Sequence, residues 1–324
     1  MPSALTLGNF DGVHLGHRAL LHRCAQLAAA DPKAPLEVVA VTFDPPPAAI
    51  LRPDALPPRL LTLADRIARL EEAGADRVVV LEATSDLLAQ SPEQFIAALV
   101  ADHAPRHLVT GPDFRFGHQR AGDAATLAAL GPTHGFTAHT VDPVTVDLSQ
   151  GLAAPCRSSL VRTLVGQARL DDAARCLTQP FALTAQVVQG DQRGRTIGFP
   201  TANLDHDALA PFMLPPNGVY AATAALPDSS LSTANSSFPA AVSIGPKPTF
   251  QGTHVTVEAH LIDPPEQLIP HPDALYGQPI TLAFHRYLRD QQRFPGLDAL
   301  VAQLHRDVAQ ARDALRDTQP QLAT

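Results

Sequence analysis

Residues 5–17 read Leu-Thr-Leu-Gly-Asn-Phe-Asp-Gly-Val-His-Leu-Gly-His, a short apolar run followed by a turn that carries two histidines, His14 and His17. The run predicts a buried first strand, and the apolar pattern after Gly16 predicts a helix. A helix N-terminus at such a junction favours phosphate, because its N–H groups are unpaired and its dipole is positive there. Each histidine can also donate a hydrogen bond to a phosphate oxygen. The segment is typical of a nucleotide site; the alternative is that His17 caps the helix and His14 is an ordinary loop residue.

Up to about residue 185, short apolar runs alternate with helix-like stretches. The runs predict strands at Val38 to Phe43, Arg77 to Leu81 and His107 to Gly111. Helical spacing predicts helices at Ala19 to Ala30, Leu63 to Ala73, Pro92 to Ala101 (capped by Ser91) and Ala121 to Leu130. Repeated strand-helix-strand units predict an α/β domain over residues 1–180, with a doubly wound parallel sheet and its ligands at the carboxyl ends of the strands.

From about Phe181 the pattern changes to short strand-like runs separated by turns rich in glycine and proline. The predicted strands are Phe181 to Val188, Gly218 to Ala225, Ala240 to Ile244, Val255 to Leu261 and Ile280 to Tyr287. They predict a small antiparallel β-barrel domain over residues 181–324. Helical spacing over Asp298 to Arg316 predicts one terminal helix, and the serine-rich stretch Asp228 to Ser237 predicts a solvated loop.

Composition excludes several classes of protein. The 324 residues are long enough for two domains, the hydrophobic fraction of 45% is globular, and no run approaches the ~20 apolar residues of a membrane span. The start of the chain lacks a secretory pattern, which predicts cytoplasmic residence. Three distant cysteines (Cys24, Cys156 and Cys176) argue against disulfide and zinc sites. A net charge of -8 argues against a broad nucleic-acid surface.

Three further segments of the first half are candidates for the same site. Thr42-Phe43-Asp44-Pro45 ends a predicted strand, and Gly111 to Gly117 offers a carboxylate, Asp113, beside two aromatic rings. Ser158 to Arg162 opens a helix with hydroxyl groups and a guanidinium that suits phosphate geometry. The alternatives are an ordinary N-cap for Ser158, a surface charge for Arg162, and core positions for Phe114 and Phe116.

In the second half, Gly190 to Asn203 combines three glycines and two arginines in a loop whose amides can surround phosphates, although it is not a P-loop. The oxygens of Thr201 and Asn203 suit Mg²⁺, which usually bridges substrate phosphates; a purely structural glycine turn is the alternative. Glu258 lies in the predicted strand Val255 to Leu261. It is either a general base or an exposed strand residue, and the sequence alone slightly favours exposure.

Taken together, these segments resemble the bifunctional bacterial riboflavin kinase and FAD synthetase family over nearly the whole chain. The first half resembles the FMN adenylyltransferase module of the HxGH nucleotidyltransferase superfamily, through Gly8 to His17, Thr42 to Pro47, Gly111 to Gly117 and Ser158 to Arg162. The second half resembles the riboflavin kinase barrel. The matching segments are Gly190 to Asn203, Asn217 to Tyr220, Ile244 to Phe250, Val257 to Leu261, Leu275 to Gly277, Leu288-Arg289 and Arg293-Phe294.

The resemblance implies roles for individual residues. In the kinase half, Glu258 would accept the proton of the riboflavin hydroxyl, Thr201 and Asn203 would place Mg²⁺ and phosphates, and the glycine loop would cover ATP. The loop residues implied to bind nucleotide are Gly190, Gly194, Arg195 and Gly198.

In the other half, the FMN phosphate would be the nucleophile and would need no general base, because it is already ionised near pH 7. His14, His17 and Arg162 would neutralise the triphosphate together with Ser158 and Ser159, while Asp113 and Phe114 would line the flavin side. The turn residues implied to bind nucleotide are Gly8, Phe10, Asp11 and Gly12.

Several positions depart from the family pattern. Pro46 stands where a histidine is common, and Arg157 stands where a small hydroxyl residue is usual. A second hypothesis therefore keeps only the kinase, with a degraded adenylyltransferase module. A third is a flavin- or nucleotide-binding protein without turnover. The leading hypothesis is a two-step enzyme that acts on riboflavin, FMN and ATP.

Overall fold

The computed structural model describes residues 1–31, 35–149, 151–190, 193–226, 237–249, 252–263 and 275–316. The chain divides into two compact units, Met1–Leu160 and Val161–Thr324. Each is described separately below. Within the described ranges, no helix has the length and apolar character needed to cross a membrane.

A five-stranded parallel sheet forms the centre of the first unit, in the order β3-β2-β1-β4-β5. Its strands are β1 (Ser3–Leu7), β2 (Glu37–Phe43), β3 (Arg77–Leu81), β4 (Pro105–Thr110) and β5 (Thr137–Thr140). The central strand β1 is buried along its whole length, which its small and apolar residues allow. Because the strand order reverses at β1, a crevice is expected outside the carboxyl ends of β1 and β4.

Helices pack against this sheet, and capping residues mark where several of them begin. They are α1 (Leu15–Ala30), α2 (Pro47–Leu51), α3 (Leu63–Glu72), α4 (Ser85–Ala89), α5 (Pro92–His103) and α6 (Ala124–His134). Helix α5 begins with a capping box between Ser91 and Gln94 and has Pro92 at its first position. A hydrophobic core lies between the sheet and α5 and α6, and it includes Leu5, Val41 and Ile96.

Smaller elements complete the first unit and lead into the second. Two 3-10 turns lie at Pro53–Ala55 and His118–Arg120, and β6 (Thr145–Asp147) pairs with β7 (Ala153–Pro155). Helix α7 (Ser158–Gly166) starts before the division of the units and ends after it, and α8 (Leu170–Leu177) follows.

The second unit is a closed six-stranded barrel in the order β10-β11-β12-β9-β8-β13. All of its ladders are antiparallel. The strands are β8 (Phe181–Val188), β9 (Ala202–Leu204), β10 (Gly218–Ala225), β11 (Ser237–Thr249), β12 (Gly252–Leu261) and β13 (Pro279–Arg289). Burial alternates strictly along β8, so one face of that strand fills the barrel.

Among the described residues, helix α8 contacts barrel strands β8 and β13, and further helices of this unit are α9 (Arg193–Thr196), α10 (His206–Leu209) and α11 (Leu297–Arg316). Helix α11 packs on the outside of the barrel, where Ala311, Ala314 and Leu315 form a second core with Ala221 and Ile262. The barrel interior and this outer core bury the apolar residues of the unit from both sides of β10.

The predicted fold class is confirmed: a doubly wound parallel sheet, then an antiparallel barrel with a C-terminal helix. The predicted strands Arg77–Leu81, Phe181–Val188 and Gly218–Ala225 have the observed bounds. Helix α6 begins later than predicted because the Asp123 side chain caps it, and it continues through Pro132. In the predicted loop Asp228 to Ser237, residues 228–236 lie outside the described ranges, and Ser237 begins β11.

Candidate active sites

The turn between β1 and α1 has a constrained backbone. Phe10 and Val13 both have positive φ angles, 49° and 43°, beside Gly12 at 92°. Such angles are unfavourable for residues with a Cβ atom, and each costs on the order of 1–3 kcal/mol. Burial of both side chains holds the turn in place. Strain of this kind is typical of a segment whose backbone is shaped for a ligand.

His14 at the end of this turn and His17 in the first turn of α1 stack on each other. Their ring centroids are 3.7 Å apart, and the Phe10 ring packs edge-on against His17 at 5.1 Å. Helix α1 starts at Leu15 and His14 occupies the N-cap position without a side-chain bond, so the idea that His17 caps the helix is wrong. Both Nδ1 atoms are buried without a hydrogen-bond partner among the described residues.

Burial lowers the pKa of His17 well below its ordinary value, and the nearby His14 lowers it further. His17 is therefore neutral at pH 7, and one ring nitrogen carries a proton. Two enclosed imidazoles with unused polar atoms can accommodate a ligand with hydrogen-bonding oxygens.

Asp11 and Ser158 hold the turn against two distant parts of the unit. The Asp11 carboxylate accepts hydrogen bonds from the backbone N–H groups of Leu60 (2.9 Å) and Leu61 (3.3 Å). The Ser158 hydroxyl donates to the Asp11 carbonyl at 2.7 Å. The start of α7, with Ser158 and Ser159, is thus brought to the histidine turn. Arg162 lies one turn further along the same helix.

A cleft of about 500 Å³ opens beside this turn. Gly8 and Asn9 line one side, and Phe114 and Phe116 line another with their rings stacked at a centroid distance of 5.4 Å. Three arginines also line it: Arg52, Arg115 and Arg120. A large apolar cleft with aromatic faces and cationic groups fits a flat aromatic ligand that carries phosphate.

Asp113 lines the same cleft, but its carboxylate pairs with Arg157 at 2.8 Å. Both side chains are more than half exposed, so the pair contributes little to stability. Arg157 therefore reaches the loop that carries Asp113 and Phe114. The other departure, Pro46, occupies the N-cap position of α2.

Arg66 is a buried residue of this region that the sequence analysis did not identify. Its guanidinium donates to the Asn9 carbonyl at 3.0 Å and to the Asp44 carboxylate at 3.2 Å. The Thr42 hydroxyl donates to the same Asn9 carbonyl. Arg66 thereby connects the end of β2 to the histidine turn. The available signal was an arginine on the apolar face of the amphipathic helix α3.

In the second unit, Glu258 lies in a cleft of about 380 Å³ on the outside of the barrel. Its strand neighbours Val257 and Ala259 point into the barrel and are fully buried, whereas Glu258 is half-buried. The register places Glu258 opposite Asn203 of β9 and Ser243 of β11. The carboxylate thus stands on the outer face, between a hydroxyl residue and an amide residue, and it is enclosed by the cleft.

The glycine loop before β9 is shaped by close contacts. A Cβ atom at Gly190 would overlap the Asn203 amide, and one at Gly194 would overlap the Phe199 carbonyl oxygen. The Phe199 N–H donates back to the Gly194 carbonyl at 2.8 Å, and Gly198 has a φ of 82°. Gly194 and Thr201 line the cleft with Glu258, while Asn203 lies against Gly190. Arg195 is exposed on this loop.

The opposite wall of the cleft is held by a buried ion pair. Arg289 donates to both oxygens of Asp307 at 2.7 and 2.6 Å, and its guanidinium also donates to the Asp290 carbonyl. Gln291 follows directly and donates to the Ser243 hydroxyl at 3.1 Å. The ion pair therefore links the C-terminal end of β13 to α11. Sequence reasoning gave no role to Asp307, Ser243 or Gln291.

The donors predicted to hold a metal ion are oxygen atoms. Thr201 offers a hydroxyl and Asn203 an amide oxygen, and Glu258 stands opposite Asn203 in the backbone ladder. Thr201 Oγ1 lies 3.8 Å from the position that a Cβ atom at Gly194 would take, at the edge of the glycine loop. Hard oxygen donors beside a loop suited to phosphates match the chemistry of Mg²⁺.

Two family models match this chain in consecutive segments. The FAD synthetase model matches residues 1–151, and the riboflavin kinase model matches residues 177–315. The bifunctional riboflavin kinase/FMN adenylyltransferase of Escherichia coli K12 is 35% identical over 317 residues, which covers 98% of this chain and 94% of the relative. The chain belongs to the bifunctional riboflavin kinase/FMN adenylyltransferase family.

Other members of the family align over a similar length. The relative from Pseudomonas fluorescens is 34% identical, covering 95% of this chain and 91% of its own length. The relative from Bacillus subtilis is 29% identical with the same coverage. A crystal structure described as a macrolide-efflux protein from Streptococcus pneumoniae superposes with a TM-score of 0.79 at 26% identity, covering 96% of this chain and 94% of that one. The fold of this chain is thus shared with that structure over nearly its whole length.

Proposed function

We propose that this protein phosphorylates riboflavin to FMN and then joins FMN to AMP from a second ATP, releasing pyrophosphate. The observation that carries the proposal is the presence of two chemically different clefts, one in each unit. The first is lined by aromatic rings and arginines and by Gly8 and Asn9 of the turn that leads to the stacked imidazoles, and the second has a carboxylate beside a glycine loop. Family membership supports both activities. We further propose that the functional domains are residues 1–180 and 181–324.

In the kinase reaction, the ribityl 5′-hydroxyl of riboflavin attacks the γ-phosphorus of ATP, and ADP leaves. Glu258 accepts the proton of that hydroxyl as the O–P bond forms. Gly190, Gly194 and Gly198 allow the loop backbone to approach the nucleotide phosphates. Thr201 and Asn203 would hold Mg²⁺, which when bound neutralises charge on the phosphates. The cleft itself aligns the two substrates.

In the adenylyltransferase reaction, an oxygen of the FMN phosphate attacks the α-phosphorus of ATP, and pyrophosphate leaves. No proton is removed from the nucleophile, because the phosphate is ionised near pH 7. His14 and His17 donate hydrogen bonds to the triphosphate oxygens, and Ser158, Ser159 and Arg162 contribute from the start of α7. The shaped backbone from Gly8 and Phe10 to Asp11 and Gly12 would accommodate the nucleotide. Asp113 and Phe114 would line the flavin side.

A product assay tests both activities in one preparation. Wild-type protein incubated with riboflavin, ATP and Mg²⁺ is expected to yield FMN and then FAD on chromatography. A protein that keeps only the kinase would stop at FMN, even when FMN is supplied. A binding protein without turnover would produce neither compound.

Glu258→Gln separates the roles of the two clefts. Loss of the proton acceptor is expected to lower FMN formation by about 10²–10⁴-fold. The same variant, given FMN and ATP, should form FAD at the wild-type rate, because the adenylyltransferase cleft keeps all its residues. Unchanged FMN formation would show that Glu258 is not the base.

A further inference from the structure

His260 joins the barrel to the loop that carries the metal-binding residues. Its Nδ1 atom lies 2.8 Å from the carbonyl oxygen of Pro200, the residue directly before Thr201. His260 follows Glu258 by two positions, so both side chains lie on the outer face of β12, and both line the kinase cleft. A carbonyl can only accept a hydrogen bond, so Nδ1 carries the proton.

The backbone ladder explains why this bond matters. Strand β12 pairs with β9 only at Glu258 with Asn203 and at Ala259 with Ala202. Continuing that register would place His260 opposite Thr201, one step beyond the last pair of the ladder. Pro200 has no N–H with which to extend the pairing. The imidazole therefore supplies the connection to β12 at the point where the two-residue ladder stops.

The ring of His260 also supports the glycine loop. It packs against Phe199 at a centroid distance of 5.2 Å, and Phe199 contacts His305 of α11 edge-on at 4.9 Å. Phe199 is buried, and its N–H closes the loop onto Gly194. Movement at His260 would thus reach both Thr201 and the loop that covers the nucleotide.

We propose that His260 is a positioning residue of the kinase site: its Nδ1–H holds the Pro200 carbonyl and so fixes Thr201 for Mg²⁺ and the nucleotide phosphates. The inference rests on the proposed kinase function. His260 touches no reacting atom in this role. Its contribution is to the geometry of Thr201, and the effect should therefore depend on the metal ion rather than on riboflavin.

A pair of amide substitutions tests the position of the donor. His260→Asn places an N–H near the site of Nδ1, whereas His260→Gln carries its amide one bond further, near the site of Nε2. The matched control is His254→Leu, because His254 lies on the same strand but outside the cleft, with its ring tilted against that of His206 at a centroid distance of 4.5 Å. Binding of ADP is measured by calorimetry with and without Mg²⁺, together with the KM values for ATP and riboflavin.

Mg²⁺ is expected to raise the affinity of the wild-type protein for ADP. In His260→Gln we expect this increase to be about tenfold smaller, which is the size of one well-placed hydrogen bond. The KM for ATP should rise to a similar degree, and the KM for riboflavin should stay within about twofold of the wild-type value. His260→Asn should recover most of the loss, and His254→Leu should resemble wild type.

Equal behaviour of the Asn and Gln variants, whether both intact or both impaired, would overturn the role of the Nδ1 donor. So would a rise in KM confined to riboflavin. Wild-type protein that binds Mg²⁺–ADP but forms no FMN would instead contradict the proposed kinase function, and the calorimetric comparison of the two variants would still decide the role of His260.

Discussion

Gly190 is a residue whose lack of a side chain has a direct chemical consequence. A Cβ atom at this position would overlap the side-chain amide of Asn203, which we propose as a metal-binding group. The amide is also close to the Thr201 carbonyl, at 3.4 Å. Space at Gly190 therefore determines where the Asn203 oxygen lies relative to Glu258.

Gly190→Ala is expected to displace the Asn203 side chain and to lower FMN formation by at least about tenfold, since overpacking typically costs ~1–3 kcal/mol. The control is Gly296→Ala in the same unit, where a Cβ atom would meet open space. Both variants are assayed for FMN formation at saturating riboflavin. If alanine is tolerated equally at both positions, Asn203 does not need its observed placement.

The connection between strand β13 and helix α11 depends on the pair Arg289 and Asp307. The Arg289 side chain is 15% exposed and the Asp307 side chain only 3%. Asp307 also accepts a hydrogen bond from Gln303 at 2.8 Å, so its oxygens are well satisfied. A buried ion pair stabilises a protein little more than apolar residues of similar volume would at the same positions. Removing one partner, however, leaves a buried charge unpaired.

Asp307→Leu is therefore expected to destabilise the barrel unit by about 3–5 kcal/mol, measured by urea unfolding followed through loss of kinase activity. The double variant Arg289→Met with Asp307→Leu should recover a large part of that loss, because no unpaired charge remains. FAD formation from FMN is the control for the other unit. A single variant as stable as wild type would show that Arg289 finds another partner.

The elements of the fold were predictable because each carries a local pattern. Strand β8 alternates apolar and polar residues, α5 begins with Ser91 and Pro92, and the turn before α1 contains its glycines and histidines within ten residues. Local chemistry fixes all of these features. Nucleotide-handling motifs at strand ends are likewise local, which is why the opening motif identifies the first site.

Long-range pairing was not predictable in the same way. Alternation puts Glu258 on the same face as His260, but only closure of the barrel decides that this face is the outer one and that Asn203 and Ser243 flank it. The partners of Arg66 are 22 and 57 residues distant, and Pro200 is 60 residues from His260. No sequence spacing specifies such contacts, so these pairings were recognised only in the structure.

In both units of the molecule, burial lowers the pKa of histidine side chains. Among the described residues, burial is the largest cause of a lowered pKa for His17, His103, His107, His139, His260 and His285. Below pH 6.5 the unfolded chain binds protons at these positions more readily than the folded chain does. Their contribution to stability is therefore complete above about pH 6.5 and is lost as the pH falls toward the folded pKa values.

The protein is accordingly expected to unfold at lower temperature at pH 5 than at pH 7. His17 should contribute most to this loss of stability. The upper limit is about 1.4 kcal/mol of unfolding free energy per pH unit, and the actual value should be lower because part of the residue still contacts water. Calorimetry of wild type and His17→Asn between pH 5 and 7 measures this, and the variant should show a shallower dependence of the unfolding temperature on pH. Lowered carboxylate pKa values, such as that of Glu37 beside Arg77, act in the same direction but at lower pH. Equal pH dependence in the two proteins would mean that folding leaves the pKa of His17 unchanged and that its burial does not contribute to the acid sensitivity.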